Sequence, residues 1–141
     1  MREILFKAKR IDNGEWVEGC YAECNGKTFI GIDISIYGDI FEVFCTRVIR
    51  WLEVDPETLC QFTGETDKNG KRIWESDVVW LVYDGKEHIY QIVWDNSELD
   101  FKATNGEENY GSNFEYLLCC DEIEVIGNIF DNPELLQEEH K

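Results

Sequence analysis

Asn13-Gly14, Asn25-Gly26, Asn69-Gly70 and Asp84-Gly85 each stand between runs whose residues alternate in polarity or are β-branched and aromatic. Asn, Asp and Gly tolerate the positive φ of a two-residue hairpin turn, so each pair folds a strand back on its predecessor. Helical periodicity is scarce. The reading is a mostly β protein, with strands expected over 3–10, 15–23, 27–34 and 41–49, forming an antiparallel meander. Further strands are expected over 71–74, 77–83, 87–94, 98–103 and 124–130, while 114–120 reads equally as strand or helical turn. Between the two groups, Asp55-Pro56-Glu57 offers a capping carboxylate, a proline at the first helical position and an acid in the first turn, which predicts one helical turn. Asn132-Pro133-Glu134 repeats that pattern before a polar tail. The expected division is therefore 1–54, an N-terminal meander, and 55–141, a second β region with a short C-terminal helix. Short strands at hairpin spacing suggest small antiparallel barrels or rolls and not a βαβ sheet.

A chain of 141 residues, 43% apolar and 13% aromatic, has enough core material to fold without staples. Its six cysteines fit zinc poorly. Cys20 and Cys24 are four apart, Cys119 and Cys120 are adjacent, and structural zinc takes spaced pairs on turns. With a charge at nearly every other position of MREILFKAKR and no apolar core run there, the opening is no secretory signal, and the thiols are expected to be reduced in a cytoplasmic protein. No apolar run approaches a membrane span. The net charge is −17, with 30 acids against 13 bases, which argues against gripping phosphate backbones directly. Residues 103–141 hold ten acids and a single base, Lys141. Such a surface keeps a protein soluble and attracts basic partners.

The segment from Gln61 to Val79, QFTGETDKNGKRIWESDVV, poses the sharpest question about chemistry. Glu65, Asp67, Asn69 and Gly70 are spaced like the start of a calcium loop. Yet Ile73 gives no ligand, Ser76 cannot supply the bidentate carboxylate that closes such a loop, and a strand, not a helix, follows. A hairpin over 66–74, turning at Asn69-Gly70, needs less. The string resembles the hallmark segment of the YopX family of phage and prophage proteins. REILFKAKR near the start and EVIGNIFDNPELL near the end are also similar to that family, and the likeness is weakest over 31–52. Where the family usually has Gly, this chain has Ser76, which questions a strict backbone requirement there. The resemblance implies a mostly β protein whose C-terminal half is an SH3-type barrel or roll. It implies no enzyme activity and no catalytic residues.

The remaining candidates are few. Glu75 and Asp77, two apart on a strand, would share a face and could hold a divalent cation or serve acid and base roles. More commonly such carboxylates bind backbone N–H groups at a turn. Lone histidines, His88 and His140, are neither convincing bases nor ligands, and acidic neighbours raise the thiol pKa at Cys119-Cys120. Trp74, Trp80 and Trp94 could line an SH3-type groove for an extended peptide or simply fill the core. Val78, Trp80 and Val82 on one face of a strand, with Val79, Leu81 and Tyr83 on the other, predict burial on both sides and hence self-association. The leading expectation is a non-enzymatic interaction protein without cofactor, binding a protein partner of basic character. The alternatives are a divalent-metal-dependent hydrolase or nuclease-like enzyme using Glu75, Asp77 and acids of the 84–100 region, and an acidic mimic of DNA.

Overall fold

The structure, a computed structural model, describes residues 4–37, 45–97, 99–104, 114–116 and 120–139. Parts of the expected features fall outside these residues: 41–44 of one strand, the polar loop over 105–113, Cys119 and His140. The chain divides into two compact units, 3–61 and 62–141. The sequence reading put this boundary at Val54/Asp55.

The first unit is an antiparallel meander of β1 (Phe6–Lys9), β2 (Trp16–Cys24), β3 (Lys27–Tyr37) and β4 (Cys45–Val54), continued by the first residues of β5 (Cys60–Thr66). Hydrogen bonding runs in the order β4-β3-β2-β1-β5. Asn25 and Gly26 both have positive φ (52° and 76°) and make the two-residue turn expected of them. The Asn13-Gly14 turn is wider: Arg10 N–H donates to Glu15 C=O, Gly14 N–H returns to Arg10 C=O, and only Gly14 takes positive φ. β2 changes partner partway, pairing Trp16 to Gly19 with β1 and Cys20 to Cys24 with β3. The meander curls until Arg10 bridges Val54, a single bridge that does not close it. Ala8, Ile30 and Val54 are fully buried at its centre, packed by Phe6, Val17, Tyr21 and Leu59. The 3-10 turn Pro56–Thr58 forms as predicted, with Asp55 Oδ1 accepting from Glu57 N–H. Thr58 Oγ1 accepts from Lys9 N–H (2.8 Å) and so ties the turn to β1.

β5 goes on into the second unit and pairs with β6 (Arg72–Trp74). Sequence reading missed β5. Its register shifts between Phe62 and Thr66, with Gly64 at φ 92°, and such an irregularity erases the alternation that marks a strand. The main sheet of this unit runs β10 (Phe114–Tyr116), β9 (Asp100–Thr104), β8 (Lys86–Asp95), β7 (Asp77–Tyr83), β11 (Glu122–Asn128). β10 and β11 are its edges, and no pairing among the described residues closes it into the expected barrel. Cross-strand partners put Ile123, Leu81 and His88 on one rung and Val125, Val79 and Tyr90 on the next. This face buries Ile73, Val79, Leu81, Tyr90, Ile92, Phe101 and Ala103. On the opposite face Val78 is fully buried while Trp80 and Val82 are half-buried. The apolar second face that motivated self-association is therefore partly covered by the chain itself. Lys102, 6% exposed, is paired with Asp95 at 2.7 Å. The helix α1 (Glu134–Glu139) forms where Asn132-Pro133 predicts it and packs beside β8. Asn132, expected as its cap, has its Oδ1 turned back to accept from Asn128 N–H at 3.3 Å.

Candidate functional site

The hallmark segment folds as the β5–β6 hairpin, and two of its acids, Asp67 and Asp77, serve the backbone. Asp67, 7% exposed, accepts from Asn69 N–H and Lys71 N–H through Oδ1 (both 2.9 Å) and from Val125 N–H through Oδ2 (3.0 Å). Burial, the largest single influence, favours its neutral form. The three N–H bonds from Val125, Lys71 and Asn69, with the nearby Lys71 ammonium, outweigh it and hold the carboxyl below its usual range. Asp67 N–H donates to Lys71 C=O and Gly70 N–H to Asp67 C=O. Only Gly70 has positive φ (80°), so the turn is one residue wider than the two-residue turn expected. Of the residues that mimicked a calcium loop, Asp67, Asn69 and Gly70 are parts of this turn, and Glu65 lies in β5.

The same carboxylate docks the turn on β11. β11 has a register irregularity between Val125 and Gly127, and Val125 N–H, just before it, is the one that turns to Asp67. Beside it Lys68 N–H donates to Ile123 C=O at 3.0 Å. The Lys68 side chain then lies over Trp80, its Nζ 4.8 Å from the ring centroid and 3.7 Å from Glu124 Oε2. Asn69 Nδ2 reaches the other oxygen of Glu124 at 3.4 Å.

Glu75 and Asp77 do not share a strand face. Glu75 and Ser76 form the turn between β6 and β7, and only Asp77 belongs to β7. Asp77, 3% exposed, accepts from Trp74 N–H through Oδ2 at 2.8 Å, a bond that closes the turn. Ser76 has φ 74°, the left-handed conformation that Gly adopts without cost. Its N–H donates to Ile92 C=O (2.8 Å) and its C=O accepts from Ile129 N–H (3.0 Å). The backbone requirement questioned by the serine is thus kept, and two main-chain bonds hold it. Among the described residues, no group of three or more His, Cys, Asp and Glu side chains is placed to hold a metal ion.

The three tryptophans separate. Trp74 is buried against Phe62, ring centroids 5.5 Å apart. Trp94 is 36% exposed, packs edge-on against Phe101 and donates from Nε1 to Asn96 Oδ1. Trp80 lines an open depression, of about 240 Å³, with Glu87, His88 and Ile89. His88 stacks on Tyr90 at 4.8 Å. Four cysteines are free thiols: Cys20 and Cys24 are exposed, Cys60 is buried and Cys120 packs against the core. Sequence reasoning missed Lys68, Glu87, Ile89 and Glu124 as neighbours of Trp80. They come from three places in the chain, the turn at Lys68, β8 and β11, and the pairing of β7 with β8 and β11 assembles them.

The profile of one protein family, described as YopX protein, matches residues 5–137. Among solved structures, the crystal structure of protein EF1440 from Enterococcus faecalis is similar, with a TM-score of 0.61 at 20% sequence identity. The match covers 96% of this chain and 99% of that one, a likeness of fold alone. No curated protein matches.

Proposed function

The chain belongs to the YopX protein family, and from that premise we propose that it is a non-enzymatic, phage- or prophage-encoded protein that acts in the bacterial cytoplasm by binding a basic protein. The observation that carries this reading is the use made of the hallmark carboxylates. Asp67 accepts three backbone N–H bonds and buried Asp77 accepts a fourth, so these groups hold the architecture of a surface and not a reacting substrate. What remains of the charge of −17 is displayed by exposed acids such as Glu87, Glu122, Asp131 and Glu134. A field of that sign speeds encounter with a cationic surface and repels nucleic acid. In this reading the sheet of the second unit plays the part of an SH3-type element, offering one face to a segment of the partner.

Cross-linking in phage-infected host cells, followed by capture and mass spectrometry, tests it. The expected result is one recurrent basic protein whose recovery falls as salt is raised from about 50 to 500 mM, because exposed charge pairs are screened. Recovery of only acidic or salt-insensitive partners would overturn the reading.

A further inference from the structure

We infer that Trp80 and the carboxylates flanking it form a receptor for an arginine side chain of the partner, with Lys68 occupying the place in the unbound protein. This rests on the proposal that the partner is basic and assigns where that partner docks.

The floor is apolar. Trp80 and Val82 of β7 and Ile89 of β8 lie on one face of the sheet, all half-buried, since Trp80 pairs with Ile89 and Val82 with Glu87. The flanks are acidic. Glu124 pairs with Trp80 and Glu122 with Val82 on the β11 side, and Glu87 stands across from Val82 on the β8 side. Two adjacent rungs thus carry three carboxylates around one indole, beside the open depression of about 240 Å³.

The chain itself reports what this surface accepts. Lys68 puts an ammonium 4.8 Å from the Trp80 centroid and 3.7 Å from Glu124, although it and Glu124 remain 41% and 38% exposed. It is a loosely held cation on a loop, set over a π face beside a carboxylate. One ammonium against three carboxylates leaves the patch anionic. A guanidinium suits such a place better than an ammonium. It is less strongly hydrated, its plane stacks on an indole, and its fork meets a carboxylate with two parallel bonds. Its entry needs only that the Lys68 side chain swing away, because the backbone of that residue stays bonded to Ile123.

The full chain, labelled with 15N, is titrated with the peptide acetyl-Gly-Arg-Gly-Arg-Gly-amide and with its citrulline counterpart, which keeps the shape and removes the charge. The Trp80 indole N–H signal is expected to move with the arginine peptide and not with the citrulline one. Lys68→Met is expected to tighten binding about two- to fivefold, because a weak cation–π competitor has been removed, whereas Glu124→Gln weakens it. Trp80→Leu should abolish the response. A Glu87→Gln, Glu122→Gln, Glu124→Gln triple variant, altered only in surface charge, does the same job if Trp80→Leu fails to fold. Equal binding by the triple variant, weaker binding by Lys68→Met, or shifts of other indoles in place of Trp80 would overturn the site while leaving a basic partner docked elsewhere. A peptide-binding failure in every variant overturns the site alone, since capture from infected cells decides the partner independently. Tighter binding of a proline-rich peptide than of the arginine peptide would also overturn it.

Discussion

In the first unit Trp16 lies under Lys9 and Lys7, whose Nζ atoms are 5.5 and 4.7 Å from its ring centroid. In the second Trp80 lies under Lys68. The two arrangements share a chemistry and differ in construction. Lys9 is the cross-strand partner of Trp16 and Lys7 stands two residues along the same strand, so register alone brings them there. Lys68 comes from a turn, and it is placed by the Asp67 carboxylate that pins the turn to β11. A cation fixed by register belongs to the sheet, whereas one carried on a docked turn is exchangeable. Two positions also contrast in what they ask of the backbone. In the first unit a Cβ on Gly19 would collide with the Gly31 carbonyl oxygen, so glycine there permits close approach of backbones. In the second, Ser76 takes the left-handed conformation with a side chain in place.

Substitutions can break this contrast in order of expected size. Gly19→Ala should cost on the order of 3 kcal/mol in urea denaturation, because the obstacle is backbone and cannot turn aside. A loss under about 1 kcal/mol would mean that β2 bends freely where it changes partners. Asp67→Asn should cost about 2 kcal/mol, the amide being a weaker acceptor for N–H groups left buried. Hydrogen exchange should quicken at Asn69, Lys71 and Val125, whereas an unchanged Val125 amide would remove Asp67 from its anchoring role. A pH effect accompanies it. The folded-state pKa of Asp67 lies below its unfolded value, so its stabilisation is complete above about pH 4 and lost as the pH falls through the folded value. The acid limb of the wild-type stability curve should therefore be steeper than that of Asp67→Asn.

Ser76→Gly goes the other way and should stabilise by about 1 kcal/mol, relieving a side chain held at φ 74°. An unchanged midpoint in thermal unfolding would show that the two backbone bonds at this residue absorb the strain. Trp51→Thr is the smallest. Trp51 is 46% exposed on β4, and its removal should move stability by no more than about 1 kcal/mol. A larger loss would make the outer strand of the meander as dependent on its aromatic as the second unit is on Trp74.

Much of this architecture was legible locally. Asn25-Gly26 and Asp84-Gly85 specify their turns by residue type, and Asp55-Pro56-Glu57 its helical turn. Legibility ended where the cause was distant or irregular. β5 is hidden by its shifted register near Gly64. The two-residue reading of Asn69-Gly70 failed because the Asp67 side chain, bonded to both Asn69 and Lys71, organises a wider loop. Glu75 and Asp77 looked like a pair because strand periodicity was carried across Ser76, where the chain turns. The acidic β11 side of Trp80 could not be read, since Glu124 reaches it only through the register of β11, which no local pattern fixes.

The bond from Val125 to Asp67 spans 58 positions of the chain. During synthesis the hairpin can close as soon as it leaves the ribosome, since its turn is local, and local contacts form early. Its anchoring carboxylate then has two of its three donors and must wait, buried by nothing, until the last strand arrives. The segment that resembles the family's hallmark is therefore finished as text well before it is finished as structure, and a chain stopped short of Val125 would carry that string without the surface it builds.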